Sequence, residues 1–162
     1  MKQALLTLFT VMTMSMCLKC PPQFHLHYST KTCIHTIPAY VNFHVAKGLC
    51  SSVNAQMVSV HSAAENQFVI QTAQRDIKPF LWIHRKEMVF WFGAYSSYNN
   101  NTFAWLDGSQ CNFKNWLPGQ PDNADGQQSC LGVGSDHVNW YGWATVACEI
   151  QRYVVCMAKA LE

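Results

Sequence analysis

Apolar positions change their rhythm along the chain. Residues 4–16 are apolar throughout except for Thr and Ser. After Pro21-Pro22, Phe24, Leu26 and Tyr28 alternate with His25 and His27, a period of two that predicts a short strand or hairpin. Phe43, Ala46, Cys50 and Val53 recur at helical spacing and predict a first helix over 39–53. Residues 57–60 read as a short strand. Ser62-Ala63-Ala64-Glu65 forms a capping box, so a second helix is expected over 63–74, with Phe68, Val69 and Thr72 inward. From Phe90 onward the pattern is short strands (91–93, 103–105, 130–133, 140–145 and 153–156) with turns at Asn99-Asn100-Asn101 and Asp107-Gly108-Ser109. Residues 117–129 have little apolar content and carry Pro118, Gly119, Pro121 and Gly126, the mark of a long loop with a function. Two helices followed by strands make an α+β domain. No internal repeat or linker breaks it.

Composition narrows the class. A chain of 162 residues, 49% hydrophobic and 12% charged, can bury a core and is not disordered. A net charge of +2 without a basic run argues against nucleic acid. The first apolar run follows Lys2 and is shorter than the about 20 residues that span a bilayer, so it has the form of a secretory signal peptide. Cleavage is expected after Ser15 or Cys17, leaving a signal over 1–17 and one domain over 18–162. No second apolar run long enough for a membrane helix follows, and a secreted, extracellular protein is expected. Eight cysteines agree with an oxidising compartment. Asn100-Asn101-Thr102 is a glycosylation sequon in a polar turn, with Asn100 as acceptor.

Little in the chain suggests catalysis. There is no HExxH, no GxSxG and no Gly-rich phosphate loop. His25 and His27 could form a zinc pair on one strand face, but exposed alternation accounts for them. Cys17-Leu18-Lys19-Cys20 has the spacing of a redox or zinc pair, a reading that an oxidising compartment and the lack of a second such pair set aside. The protein is therefore expected not to be an enzyme.

Several pieces, taken in order, resemble the C-type lectin-like domain family. Met57-Val58-Ser59-Val60-His61-Ser62 with Glu65-Asn66 is similar to the family's LVSIHS…EEN stretch. Trp91-Phe92-Gly93-Ala94 is similar to its WIGL core strand. Trp105-Leu106-Asp107-Gly108-Ser109, Asn115-Trp116, Pro118-Gly119-Gln120-Pro121-Asp122-Asn123, Trp143 and the cysteines complete a likeness over 20–158, closest in flavour to small secreted single-domain lectins. The resemblance implies two helices, a twisted antiparallel sheet, a long irregular binding loop and disulfide staples. Six cysteines can pair in fifteen ways, and spacing does not choose. The resemblance implies Cys20–Cys33, Cys50–Cys156 and Cys130–Cys148. Cys111 lies outside that set; it can pair with Cys17, link two chains as a disulfide-bonded dimer, or stay free.

The resemblance also places a site. Calcium-binding members hold the ion, and a sugar's vicinal hydroxyls on it, between the long loop and the strand near Trp143. Calcium takes six to eight oxygens. Gln120-Pro121-Asp122 resembles the galactose-preferring tripeptide, whose proline is typically cis. Elsewhere the pattern departs: Gln128 stands where binding members carry Glu, and Ala144-Thr145 where they carry Asn-Asp. Of the expected side-chain ligands only Gln120 and Asp122 match. Asp125 and Asp136 are nearby carboxylates, and Trp140, Tyr141 or His137 could supply the stacking ring that residues 123–129 lack. The candidate ligand-binding set is Gln120, Asp122, Gln128, Trp140 and Tyr141. Two readings stand side by side: recognition of a glycan or extracellular protein with little or no calcium dependence, which the missing carboxylates favour, and calcium-dependent galactose binding through Gln120 and Asp122.

Overall fold

The computed structural model describes residues 17–81, 87–96, 102–124, 126–135 and 141–162. The signal-like run before Cys17, and Asn100, Asp125, Asp136, His137 and Trp140, lie outside these described residues.

Strand β1 (His25–His27) pairs antiparallel with β2 (Thr32–Val41), which pairs along its length with β8 (Arg152–Lys159). Across the sheet from β8 lie β4 (Phe90–Tyr95), β6 (Cys130–Ser135) and β7 (Tyr141–Val146). The short β3 (Gln56–Met57) pairs with β8, and β5 (Ala104–Trp105) with β4. The β4–β8 pair is parallel, so the sheet is mixed, not wholly antiparallel as expected. The chain leaves β4, makes the whole loop-bearing half and returns as β8 on the same heading, which only a long crossover permits.

Helix α1 (Phe43–Ser52) starts later than expected, because residues 39–41 continue β2. Asn42 caps it, its side chain accepting from the Val45 N–H at 3.0 Å. Helix α2 (Ala63–Ile77) runs three residues past its expected end. Ser62 Oγ accepts from Glu65 N at 3.2 Å, while Glu65 Oε2 takes the N–H of His61, one residue before the cap, at 2.7 Å.

The helices pack on opposite faces of the sheet. Phe90, Phe92, Tyr153, Val155 and Met157 join Val69, Ile70, Ala73 and Ile77 of α2. The intervening Trp91, Val154 and Cys156 join Phe43, Ala46 and Cys50 of α1. Strands buried on both faces read as continuous apolar runs, and 90–94 and 153–157 do so. Three disulfides staple the layers: Cys20–Cys33, Cys50–Cys156 and Cys130–Cys148, the pairing that the resemblance implies.

The motif residues lock the strands together. Gly93 donates to the Val58 carbonyl at 2.8 Å and accepts from Leu106 N at 2.7 Å. A Cβ on Gly93 would lie 2.8 Å from Met57 Cβ and O, so only glycine allows that approach. The Asp107 carboxylate accepts from the hydroxyls of Ser59 and Ser109 and from Ser109 N, tying residues 57–60 to the turn after β5. Burial works against its charge, but these donors outweigh it and hold the carboxyl below the usual aspartate range.

Candidate functional site

Trp143, fully buried on β7, anchors the loop-bearing half. Its ring lies 5.6 Å from those of Trp105, Phe113 and Trp116, edge-on to each, and 6.4 Å from Phe92. Its Nε1 donates to Asn66 Oδ1 of α2 at 2.9 Å. Its backbone N–H donates to Asn115 O at 2.8 Å, and its carbonyl accepts from Leu117 N at 2.9 Å, so the long loop is hydrogen-bonded to β7 at its root.

Beyond that root the loop folds back on Thr145. Gly119, Asn123 and Gly126 turn it through positive φ, and the Gln120–Pro121 bond is cis. Gln128 N donates to Asn123 Oδ1 at 2.8 Å, closing the loop on itself. Thr145 lies two residues past Trp143, on the same strand face, and is 3% exposed. Its backbone N–H donates to Gln120 Oε1 at 2.7 Å. Its hydroxyl stands 2.9 Å from both Gln120 Oε1 and Asp122 Oδ1, and accepts from Asn123 N at 3.1 Å.

A hydroxyl has one proton to give. Gln120 Oε1 already holds the Thr145 N–H, so the hydroxyl proton goes to the charged Asp122 oxygen, where the bond is stronger. Gln128 completes the set by turning its amide nitrogen inward, where its two protons reach Thr145 O at 3.0 Å and Asp122 Oδ1 at 3.2 Å. In this orientation every donor meets an acceptor. The Thr145 hydroxyl bond, first among several donors, holds the Asp122 carboxyl below the usual range.

The structure thus brings Gln120, Asp122 and Gln128 together, around a residue that sequence reasoning treated only as a lost ligand. The signal for Thr145 was its period-two relation to Trp143, which puts it on the face that the loop must cover. Tyr141 sits elsewhere, beside Phe113 and Asn115 in a cleft along α2. The two oxygens that resemble calcium ligands face N–H and O–H protons of Thr145, and the Gln128 amide adds one more at Asp122. Calcium asks for a shell of oxygen lone pairs, several of them charged. This set has one carboxylate and three inward donor groups, so it does not fit the ion.

The remaining candidates are dispersed. His25 Nε2 lies 3.2 Å from Asp76 Oδ1, while His27 bonds Thr30 Oγ1 at 2.7 Å and lies 4.6 Å from the Phe68 ring. Among the described residues no three His, Cys, Asp or Glu side chains gather as a metal group. Cys111 is half-buried against the core, and burial pushes its thiol pKa up, away from a reactive thiolate. Cys17 is exposed.

Residues 40–158 match the Lectin C-type domain family. The chain belongs to the C-type lectin domain family. It is 29% identical over 107 residues to ladderlectin of Oncorhynchus mykiss, an alignment covering 64% of this chain and 50% of ladderlectin. The chain thus spans half the length of that relative. It is 28% identical over 137 residues to perlucin of Haliotis laevigata, covering 85% of this chain and 81% of perlucin. Among solved structures, a calcium-independent type II antifreeze protein superposes with a TM-score of 0.73 at 17% identity, over 90% of this chain and 98% of its own. That last likeness is one of fold. No helix among the described residues of this lectin domain is long and apolar enough to cross a membrane.

Proposed function

We propose that this lectin domain is a secreted recognition module that binds a glycan or a glycan-bearing extracellular protein without calcium and without catalysis. Secretion is supported by the signal-like start and by three disulfides, which persist in oxidising compartments; the sequon at Asn100 fits the same route. One observation carries the calcium independence: the Thr145 hydroxyl and N–H occupy the oxygens that a calcium ion would need. The loop is then held in shape by hydrogen bonds in place of the ion.

Thermal melting of the mature protein in millimolar calcium and in chelator tests this reading. A ligand at 100 times its dissociation constant adds about 2.7 kcal/mol, a shift of several degrees for a domain of this size. The expected result is coincident melts and no calcium-dependent retention on a galactose resin. Retention that chelator releases would instead establish calcium-dependent galactose binding through Gln120 and Asp122, and mutation of Asp125 and Asp136 would then locate the missing carboxylates.

A further inference from the structure

A cleft of about 440 Å³ lies between α2 and the segment around Phe113, Asn115 and Tyr141. That volume is within the range of small-ligand sites. Asn66, Gln67 and Gln71 of α2 line it, opposite Phe113, Asn115 and Tyr141. None of its lining side chains among the described residues is charged. Four carboxamides and two aromatic rings meet there, a chemistry that differs from the carboxylate and hydroxyl of the long loop.

Two of the amides are fixed in orientation. Asn66, 6% exposed, accepts from the Trp143 indole with its Oδ1; an indole N–H only donates, so the amide cannot turn, and among the described residues its NH2 is left for another partner. Asn115 donates its Nδ2 to the Tyr141 carbonyl at 3.1 Å; a carbonyl only accepts, so its Oδ1 remains. The cleft therefore has one pinned donor and one pinned acceptor, with the exposed Gln67 and Gln71 at its rim. A hydroxyl both donates and accepts, and neighbouring hydroxyls match a carboxamide edge. The rings of Phe113 and Tyr141 give the cleft apolar surface that suits a partly apolar ring. The uncharged lining among the described residues disfavours phosphate, sulfate and carboxylate groups, and groups already held in place reduce the ordering cost of binding.

We infer that this cleft is a binding site for an uncharged saccharide, separate from the long-loop face. The experiment is an NMR titration of the mature chain in chelator with lactose, maltotriose and chitotriose. The expected result is saturable shifts, for at least one of the three at millimolar concentration, of the Asn66 and Asn115 side-chain amides and the Trp143 indole. Gln71→Ala should weaken that binding about tenfold, the order of one or two lost hydrogen bonds, with its melting temperature unchanged because Gln71 is exposed. Phe113→Leu, which keeps an apolar side chain but removes the ring, should weaken it too. Asp122→Ala should leave it in place. No saturable shift with any of the three sugars overturns the inference. So does binding that survives Gln71→Ala and is lost in Asp122→Ala, an outcome that would place the saccharide on the long loop and leave the calcium-independent reading to its own test.

Discussion

The two halves of this lectin domain are held by different forces. In the helix-backed half, β2 and β8 pair between two helices and nearly every inward side chain is apolar; Ala46, Cys50, Val69, Ala73, Val154 and Val155 are all fully buried. In the loop-bearing half, shape depends on polar pairings: Asp107 with Ser59 and Ser109, Asn66 with Trp143, Thr145 with Gln120 and Asp122. Apolar burial is non-directional and tolerates small shifts, whereas a hydrogen bond fails over fractions of an ångström. A recognition surface gains from the second kind of support. Laid over the aromatic cluster of Trp105, Phe113, Trp116 and Trp143, it fixes where each polar group stands.

Removing the disulfides one at a time should expose the difference most strongly. Cys50 and Cys156 are 106 residues apart, Cys130 and Cys148 only 18. The chain-entropy estimate gives about 4.7 kcal/mol for closing a 100-residue loop and about 3 kcal/mol for a 15-residue loop. Paired Cys→Ala variants compared by urea unfolding should follow that order. The reverse order would show that the loop-bearing half dominates stability.

Trp143→Ala should cost about 3–5 kcal/mol in the same assay, as for large aromatic truncations in cores, and also leave Asn66 Oδ1 without its donor. Being the joint between the halves, it should loosen the long loop as well. Increased amide exchange at Leu117, whose N–H bonds the Trp143 carbonyl, checks this.

Thr145→Val keeps the shape of the side chain but removes the hydroxyl. Asn123 N–H loses its acceptor, and about 1–3 kcal/mol is expected for the buried polar group left unmatched. The Asp122 carboxyl, held low chiefly by that hydroxyl, should titrate at higher pH in the variant, read by carboxyl-carbon NMR. The sign for stability follows. A carboxyl with a lowered folded-state pKa stabilises the fold above its unfolded value near 3.9, and that contribution is lost as pH falls through the folded value. Asp122 and Asp107 are both lowered, so the wild type should lose loop order on acidification below about pH 4, and Thr145→Val should lose less through Asp122.

The smallest effect is expected at Cys111. Replacement by Ser should shift the melting temperature little, because the side chain is half-buried and makes no disulfide in this fold. Non-reducing electrophoresis of wild type and variant checks the separate expectation that any covalent dimer runs through Cys111; a dimer that persists in Cys111→Ser points to Cys17.

Much of the helix-backed half could be read from the order of residues. The capping box at Ser62 and the helical spacing of Phe43, Ala46 and Cys50 are local features, and local hydrogen bonding decides them. The start of α1 is not legible near residue 39, because the apolar run there suits a helix as well as a strand, and pairing with β8 settles it. The parallel β4–β8 contact carries no local signature, since it joins segments about sixty residues apart. The site divides in the same way. The tripeptide around Pro121 and the departures from the calcium pattern at Gln128, Ala144 and Thr145 were legible as residue types. That Thr145 stands at the centre of them was not, because its neighbours come from a loop more than fifteen residues upstream. The pinned amides of Asn66 and Asn115 likewise need a helix, a loop and β7 to meet around one tryptophan. Sequence determined which groups this protein has and the local elements that carry them. Tertiary structure alone decided which donor faces which acceptor, because hydrogen bonding in space depends on distances that spacing along a chain does not set.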